Sequence, residues 1–490
     1  MITTFKSKVL SRDLYRKVFV VLCLLYFMPS TLNLEYYPLF VAMGWGGVIV
    51  LNDLITDRIF FKNKYWKYLV AVIIVYILSI AINFDHALIR GIYNLIFLII
   101  TLYVIFPIDN QQSETKVFKN LSQFNDIFIV VTLIAAVISL GMFIINLQFR
   151  LESINDLRQG FFENRLFGVY TSPNVGSVMG FISVMGSLIN NLLKRNSMFK
   201  FSVLYITNLI VQLIYFVLSS SRGTTLIISA AVVMFFLFVF LPREIQIRGN
   251  KKRSIIMVIL VMVGFFNISS IAIEVSKDVL AYVPATVEEV FNLNDDGRIN
   301  DKKLSKSEIE VLENEKVVIQ HSPENAELSS GRFSIWRAGL KVIKQYPLFG
   351  VTDTDLYRNK EKTSVIDESK LTDQDISELK RSAGNMHNMY LQTLITTGII
   401  GFLVLAIYLI RYLFDISKYL VVNRNDSVKF LILITLFITI VSFFFGELVE
   451  SRLLYMNRSV VAIVFWYFSG ILIYCKDKNI LSQKRIEVDE

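Results

Sequence analysis

Long apolar runs separated by short polar segments set the plan of this chain. Runs near 18–34, 37–52, 68–84 and 88–107 follow one another closely, and the series continues to residue 274. A last group begins at 388 and ends near 474. Each run approaches the roughly 20 apolar residues that cross about 30 Å of hydrocarbon. About twelve such spans are expected. They must be helices, because backbone groups in lipid have to find partners within their own segment. Between the ninth and the tenth lies a polar stretch from about 275 to 387. The pattern therefore predicts an all-α polytopic membrane protein in three parts. Residues 1–274 hold helices one to nine, 275–387 form a large loop with short amphipathic helices, and 388–490 hold helices ten to twelve and a tail.

Composition excludes a soluble domain, since 54% of residues are apolar and only 19% charged. Basic clusters such as Lys194-Arg195, Lys251-Lys252-Arg253 and Lys484-Arg485 recur in segments that fall on one side. The positive-inside rule makes that side cytoplasmic, so both termini are expected inside a cell membrane and the long loop outside. These loops also account for the net charge of +9, which faces anionic lipid. Nucleic acid is not expected as a partner, because no aromatic-plus-basic platform is present. Cys23 and Cys475 stand in the first run and at the end of the last, which implies no disulfide framework. The N-terminal run lacks a small-residue cleavage signature and reads as a retained span. A transporter built from two six-span halves would carry its longest linker in the middle and inside, unlike this chain.

With that topology the outer segments become informative. After the fifth span come Arg150, Arg158 and Arg165, leading to Ser172-Pro173-Asn174, where the sixth begins. Ser172 suits an N-cap and Pro173 a first helical turn, so free N–H groups lie near arginines and form a candidate anion site. Arg222 sits in the short turn Ser219-Ser220-Ser221-Arg222-Gly223, at membrane depth, where an unpaired charge is costly. Arg332 opens an amphipathic stretch with Phe333, Trp336, Leu340 and Ile343 at helical spacing, and Arg337 follows one turn on. His387-Asn388 closes the loop; a histidine there can serve as base, acid or donor. The last outer segment carries Glu447 and Arg452, a candidate ion pair. The plainer reading of each arginine is a side chain snorkelling to lipid head groups, and of His387 an interfacial residue. No spacing suits a metal, and no cofactor is expected.

Taken in order, these motifs resemble the O-antigen polymerase and O-antigen ligase superfamily. The order is Arg165 to Pro173-Asn174, Ser221-Arg222-Gly223, Ser330-Gly331-Arg332 with Trp336 and Pro347-x-x-Gly350, then His387-Asn388-x-Tyr390-Leu391 with Gly398 and Gly401. The motifs cover about 160–405. The resemblance implies a GT-C-like membrane glycosyltransferase that moves a glycan from an undecaprenyl diphosphate donor without metal or nucleotide sugar. It implies that Arg222 and Arg332 bind the diphosphate, helped by Arg165, and that His387 acts on the acceptor hydroxyl. Arg165 and Gly176 also fit the family's loose Arg-x(10)-Gly pattern. Arg158, Arg337, Asn388, Glu447 and Arg452 are further candidates for substrate contact. Where the family often has Glu-Thr-Gly, this chain has Thr396-Thr397-Gly398, and the insert at 285–328 matches no motif.

The leading expectation is a polymerase of lipid-linked oligosaccharide repeats, making capsule, exopolysaccharide or O-antigen. The alternatives are a ligase that moves finished polymer to a lipid A core or another acceptor, and a polysaccharide or lipid transporter. The expected partners are the lipid-linked glycan and the bilayer, with a chain-length regulator and a flippase as protein partners.

Overall fold

The computed structural model describes residues 9–29, 37–151, 157–195, 202–284, 317–320, 331–353, 366–425, 427–454 and 459–482. His321, Ser330, Arg458, Lys484, Arg485 and nearly all of the 285–328 insert lie outside them. The apolar runs fold as helices α1 (Arg12–Tyr26), α2 (Tyr37–Asn52), α3 (Trp66–Ile82), α4 (Phe84–Ile100), α5 (Glu114–Ile144), α6 (Pro173–Arg195), α7 (Val203–Ser219), α8 (Arg222–Phe235), α9 (Leu241–Arg248) and α10 (Lys251–Ala281). Two shorter helices follow, α11 (Arg332–Gln345) and α12 (Asp373–Arg381), and then α13 (Met389–Val422), α14 (Val428–Gly446) and α15 (Val460–Asp477).

Among the described residues, 9 helical segments are long and apolar enough to cross a membrane. The other expected spans fall on shorter helices, α1 with 15 residues and α3 and α7 with 17 each. Side chains such as Ile55, Ile89, Leu260 and Ile268 stand exposed, an apolar surface suited to lipid and not to water. The chain is thus a mostly helical, multi-pass membrane protein.

It is not wholly helical. Strands β1 (Gln148–Leu151), β2 (Leu157–Phe162) and β3 (Arg165–Gly168) form a three-stranded antiparallel sheet in the order β1-β2-β3. This small sheet is an addition to the expected all-α plan, which the rest of the described chain follows. The strands are 4 to 6 residues long, and only β1 alternates polar with apolar residues along its whole length, a signal easily lost beside long apolar runs. Gly160, at φ 85°, marks an irregularity in the β2–β3 register. A Cβ there would lie 1.9 Å from the Leu147 carbonyl oxygen, so only glycine fits.

The chain packs as two units. The first comprises Met1–Cys23, Glu35–Phe124 and Ala326–Glu490, and the second Leu24–Leu34 and Asn125–Asn325.

In the first unit α13 is broken at Gly398, where φ is 65° and ψ −169°. The segment 347–352 docks into the break. The Val351 N–H donates to the Ile395 carbonyl at 2.7 Å, Thr352 to Thr396 at 3.0 Å, and Ile399 donates back to Pro347 at 2.8 Å. Ser79 on α3 donates to the Thr396 carbonyl at 2.9 Å, and Asn83 to the Gly350 carbonyl at 3.0 Å. Backbone groups freed by the break therefore find partners in protein, the condition for irregular backbone inside a bilayer. Pro347-x-x-Gly350 and Thr396-Thr397-Gly398 are two halves of one joint.

The small helices pack on the same unit. Ile335, Ala338 and Val342 of α11 are buried with Leu379, Met386 and Ile395. Phe333 and Leu340, on the apolar stripe read from the sequence, are 62% and 47% exposed. The face chosen is the one with small residues. A Cβ on Gly339 would lie 2.6 Å from the Met386 sulfur, so only the Ala338-Gly339 side admits so close a neighbour.

In the second unit α6 is the most enclosed span, with 83% of its apolar window buried, and α10 the least, with 6%. Polar side chains knit α5, α6 and α7 together. Asn125 donates to Asn190 at 3.0 Å, Thr132 to Ser183 at 2.8 Å, and Asn208 to Ser187 at 3.0 Å. In lipid such bonds stand in for the missing hydrophobic drive between helices.

Candidate functional site

The first unit gathers its polar chemistry around a residue that sequence reasoning missed. Glu450, 9% exposed, receives Arg332 Nη2 at 3.2 Å and Arg452 Nη2 at 3.2 Å on one oxygen. Its other oxygen lies 3.5 Å from His387 Nδ1. Burial alone would push the Glu450 carboxyl up, but Arg452, the His387 bond and Arg332 outweigh it and hold it down at about 2. The one sequence signal for Glu450 was its place between Glu447 and Arg452; its other partners, Arg332 and His387, come from segments more than sixty residues away.

The surrounding chain holds each member in place. Arg332 is the first residue of α11, after Gly331 in the left-handed conformation at φ 75°. Trp336, one turn on, donates to the Met386 carbonyl at 2.8 Å, and Gln392 accepts from the Met386 N–H at 2.9 Å. The residue just before His387 is thereby fixed from both sides. His387 itself has φ 45°, an uncommon conformation for a residue with a Cβ. Asn385 stabilises it by accepting the His387 N–H at 2.8 Å and the Ser451 hydroxyl at 2.6 Å. Strain of this kind persists only where neighbours over-determine it, and it concentrates at functional positions. The His387 side chain is 34% exposed, so it is anchored through Nδ1 and still reachable.

The expected pairing of Glu447 with Arg452 takes another form. Glu447 Oε2 accepts the backbone N–H groups of Arg452 at 2.6 Å and Leu453 at 3.3 Å, while the Arg452 guanidinium goes to Glu450. Burial pushes Glu447 up to about 8, against the pull of those N–H groups and the Arg452 charge. Burial thus favours its neutral form. Two guanidiniums then face one carboxylate, and the cluster is net positive, which suits an anionic substrate group.

Two further candidates serve the fold. Asn388 caps α13, accepting from the N–H groups of Tyr390 and Leu391 at 3.0 and 3.1 Å, and donates to the Leu448 carbonyl at 3.1 Å. That ties the start of α13 to the end of α14. Arg337 is 55% exposed and turns to Gln374 at 3.0 Å and Asp375 at 3.6 Å, beside Lys341. It does not join the Glu450 cluster.

The remaining candidates belong to the second unit. Arg165, at the start of β3, donates to the Ser219 carbonyl and to Asn174 Oδ1, both at 2.8 Å. Asn174 Oδ1 also accepts from Ser221 at 3.0 Å, and Ser221 caps α8, whose first residue is Arg222. Arg165 therefore joins the start of α6 to the turn that carries Arg222. Gly176 follows from the same packing. A Cβ there would lie 2.1 Å from the Tyr215 hydroxyl, which itself donates to the Phe167 carbonyl on β3 at 3.0 Å. Ser172 caps α6 as expected, accepting from the Val175 N–H at 3.2 Å. Arg158 pairs with Glu163 across the β2–β3 turn.

These features define a multi-pass membrane protein with cationic groups at helix ends. Residues 207–406 match the family model described as O-antigen ligase. That stretch contains Arg222, Arg332 and His387, and over it the chain is similar to the O-antigen ligase family. A protein of Haemophilus influenzae, described only as uncharacterized, is 27% identical over 145 residues, which is 29% of this chain and 32% of that protein. The match thus spans about a third of the length of this curated relative.

Proposed function

We propose that this protein polymerises oligosaccharide repeats carried on undecaprenyl diphosphate into a surface polysaccharide. The observation that carries the reading is the Glu450 cluster, a reachable histidine on strained backbone beside two guanidiniums; its Arg332 and His387 fall within the stretch that matches the family model. In this scheme the acceptor hydroxyl oxygen attacks the anomeric carbon of the donor. The bond from that carbon to the diphosphate oxygen breaks, the diphosphate leaves with the electron pair, and the hydroxyl proton passes to His387 Nε2. Arg332, beside His387 in the first unit, is the guanidinium proposed to bind the diphosphate, whose charge grows as it leaves. We place the chain in the cell membrane with about twelve spans in a GT-C-like arrangement, both termini cytoplasmic and the chemistry outside; the basic clusters of the short loops support this side.

A ligase is the second reading, favoured by the description of the matched family. A deletion strain separates them. Loss of a polymerase leaves lipid carriers bearing single repeats, whereas loss of a ligase leaves long polymer on the carrier. Failure of outward translocation would instead indicate a transporter.

Glu450 offers a test of the site itself. Here Glu450 is a positioning residue, holding His387 by Nδ1 so that Nε2 faces the acceptor. Glu450→Gln should slow transfer at least about tenfold and shift its pH–rate profile, because the imidazolium loses its counter-charge. It should also cost about 3 kcal/mol at neutral pH by leaving two partly buried guanidiniums without it. The Glu450 carboxyl is lowered from 4.5 on folding, so its contribution is full above that pH and is lost as pH falls towards 2. The gap in melting temperature between wild type and Glu450→Gln should narrow over that window. A constant gap, or an unchanged pH–rate profile, removes this role.

A further inference from the structure

The second unit contains a pocket of about 300 Å³ where the end of α7, the start of α8 and the last turns of α10 meet. Arg222, Ser220 and Ser221 line one side, and Ile273 and Lys277 of α10 the other, with Phe216 beside them. Its volume is at the lower end of the range for small-ligand sites. It brings together two cations from helices that are far apart in sequence, two serines and an apolar wall.

The position of α10 says from where a ligand would come. Only Ser254, Val258 and Ala281 of this 31-residue helix are buried, and Ile268, Ile271, Val275 and Val279 all face away from protein. Ile273 and Lys277, four residues apart, share a face on the pocket side, while Glu274 and Asp278 are exposed. The pocket is therefore walled on one side by a helix whose outer surface belongs to lipid.

We propose that Lys277 is a substrate-binding residue, the second cation of the Arg222 pocket, and that the pocket takes a lipid-borne diphosphate. Arg222 and Lys277 bind its phosphate oxygens, and Phe216 and Ile273 lie along its first isoprenoid unit. The inference rests on the reading of the protein as acting on an undecaprenyl diphosphate donor. A guanidinium and an ammonium divide the work according to their chemistry. The planar fork of arginine can grip two oxygens, while lysine contributes a point charge on a flexible stem that follows the other phosphate. The plainer reading of Lys277 is a side chain reaching for lipid head groups at the end of a span, and the two readings differ in what they bind.

The experiment uses the full chain in nanodiscs of zwitterionic lipid, with binding of undecaprenyl diphosphate measured directly for wild type, Lys277→Met and Lys277→Arg. Inorganic pyrophosphate and phosphatidylglycerol serve as competitors. Lys277→Met should bind undecaprenyl diphosphate at least about tenfold more weakly, the loss of one charge-assisted contact. Lys277→Arg should bind within about threefold of wild type, because the charge is kept. Neither competitor should displace the ligand at comparable concentration, since one lacks the prenyl chain and the other the diphosphate. Melting temperature of each variant separates lost binding from lost folding. Unchanged affinity in a folded Lys277→Met overturns the inference. So does equal displacement by pyrophosphate, which would mean a soluble ligand, or by phosphatidylglycerol, which would mean a generic head-group contact. The two readings fail separately. Lys277-dependent binding in a protein that transfers no glycan keeps the pocket and removes the transferase. Normal transfer by Lys277→Met at the wild-type donor KM does the reverse.

Discussion

His387→Ala should lower glycan transfer by about 10²- to 10⁴-fold, the usual weight of one positioned acid or base. The expectation follows from how the residue is held. Its backbone sits at φ 45°, its N–H is taken by Asn385, and its Nδ1 faces Glu450 at 3.5 Å. Everything on the Nδ1 side is already engaged, so Nε2 is the atom left for chemistry at a side chain that remains 34% exposed. Polymer length in a strain carrying only the variant gene, with membrane amounts matched to wild type, is the first measurement. Donor turnover by the purified protein in proteoliposomes is the second. Full-length polymer at normal abundance would sink the mechanism. The same assay on Arg332→Ala should show a similar deficit, since that change removes a proposed diphosphate ligand and also one of the charges that keep Glu450 ionised. Arg337→Ala, whose guanidinium turns to Asp375 at an exposed surface, should leave transfer within about threefold of wild type and stability within about 0.5 kcal/mol.

The largest effect on folding should come from Gly350→Ala. At φ 67° an alanine is strained by roughly 1–2 kcal/mol before any contact is considered. Its Cβ would also lie 2.2 Å from the Ile395 carbonyl oxygen and 2.7 Å from the Thr396 carbonyl carbon. Those atoms are backbone and cannot swing away, so segment 347–352 has to withdraw from the break in α13. Withdrawal leaves the Ile395 and Thr396 carbonyls and the Val351 and Thr352 N–H groups without each other at membrane depth. A total cost of about 4 kcal/mol or more is expected, read as a drop in melting temperature of the detergent-solubilised protein or as its loss from the membrane. Gly398→Ala should behave alike, because its Cβ would meet the Leu348 carbonyl oxygen at 2.1 Å. Gly44→Ala is the control. It also lies in an apolar helix, but nothing stands within 4 Å of its Cβ.

The sequence predicted some parts of this arrangement and missed others. Ser172 was placed at a helix start, because capping depends on residues two or three positions away and is written locally. Arg222 and Arg332 were likewise correctly put at helix starts. The sheet at 148–168 escaped because a short alternating pattern is weak beside runs of twenty apolar residues. The face by which α11 packs on its own unit was not legible, because two stripes at helical spacing competed. Steric room decided it, through Gly339 against Met386. Glu450 was passed over because nothing within a few residues of it signals Arg332 or His387.

What the sequence determined by itself was therefore the class of protein and the starts of several helices, such as those at Pro173, Arg222, Arg332 and Met389. Hydrocarbon imposes a length and a composition on every span, and caps and short turns are settled by near neighbours. The tertiary structure alone decided which carboxylate holds His387, why burial raises the Glu447 carboxyl, and how Pro347-x-x-Gly350 seals a broken helix. The reason is physical. Each of these depends on charges and backbone atoms brought within a few ångströms from segments tens to hundreds of residues apart, and on how far burial weakens the solvent's screening of them.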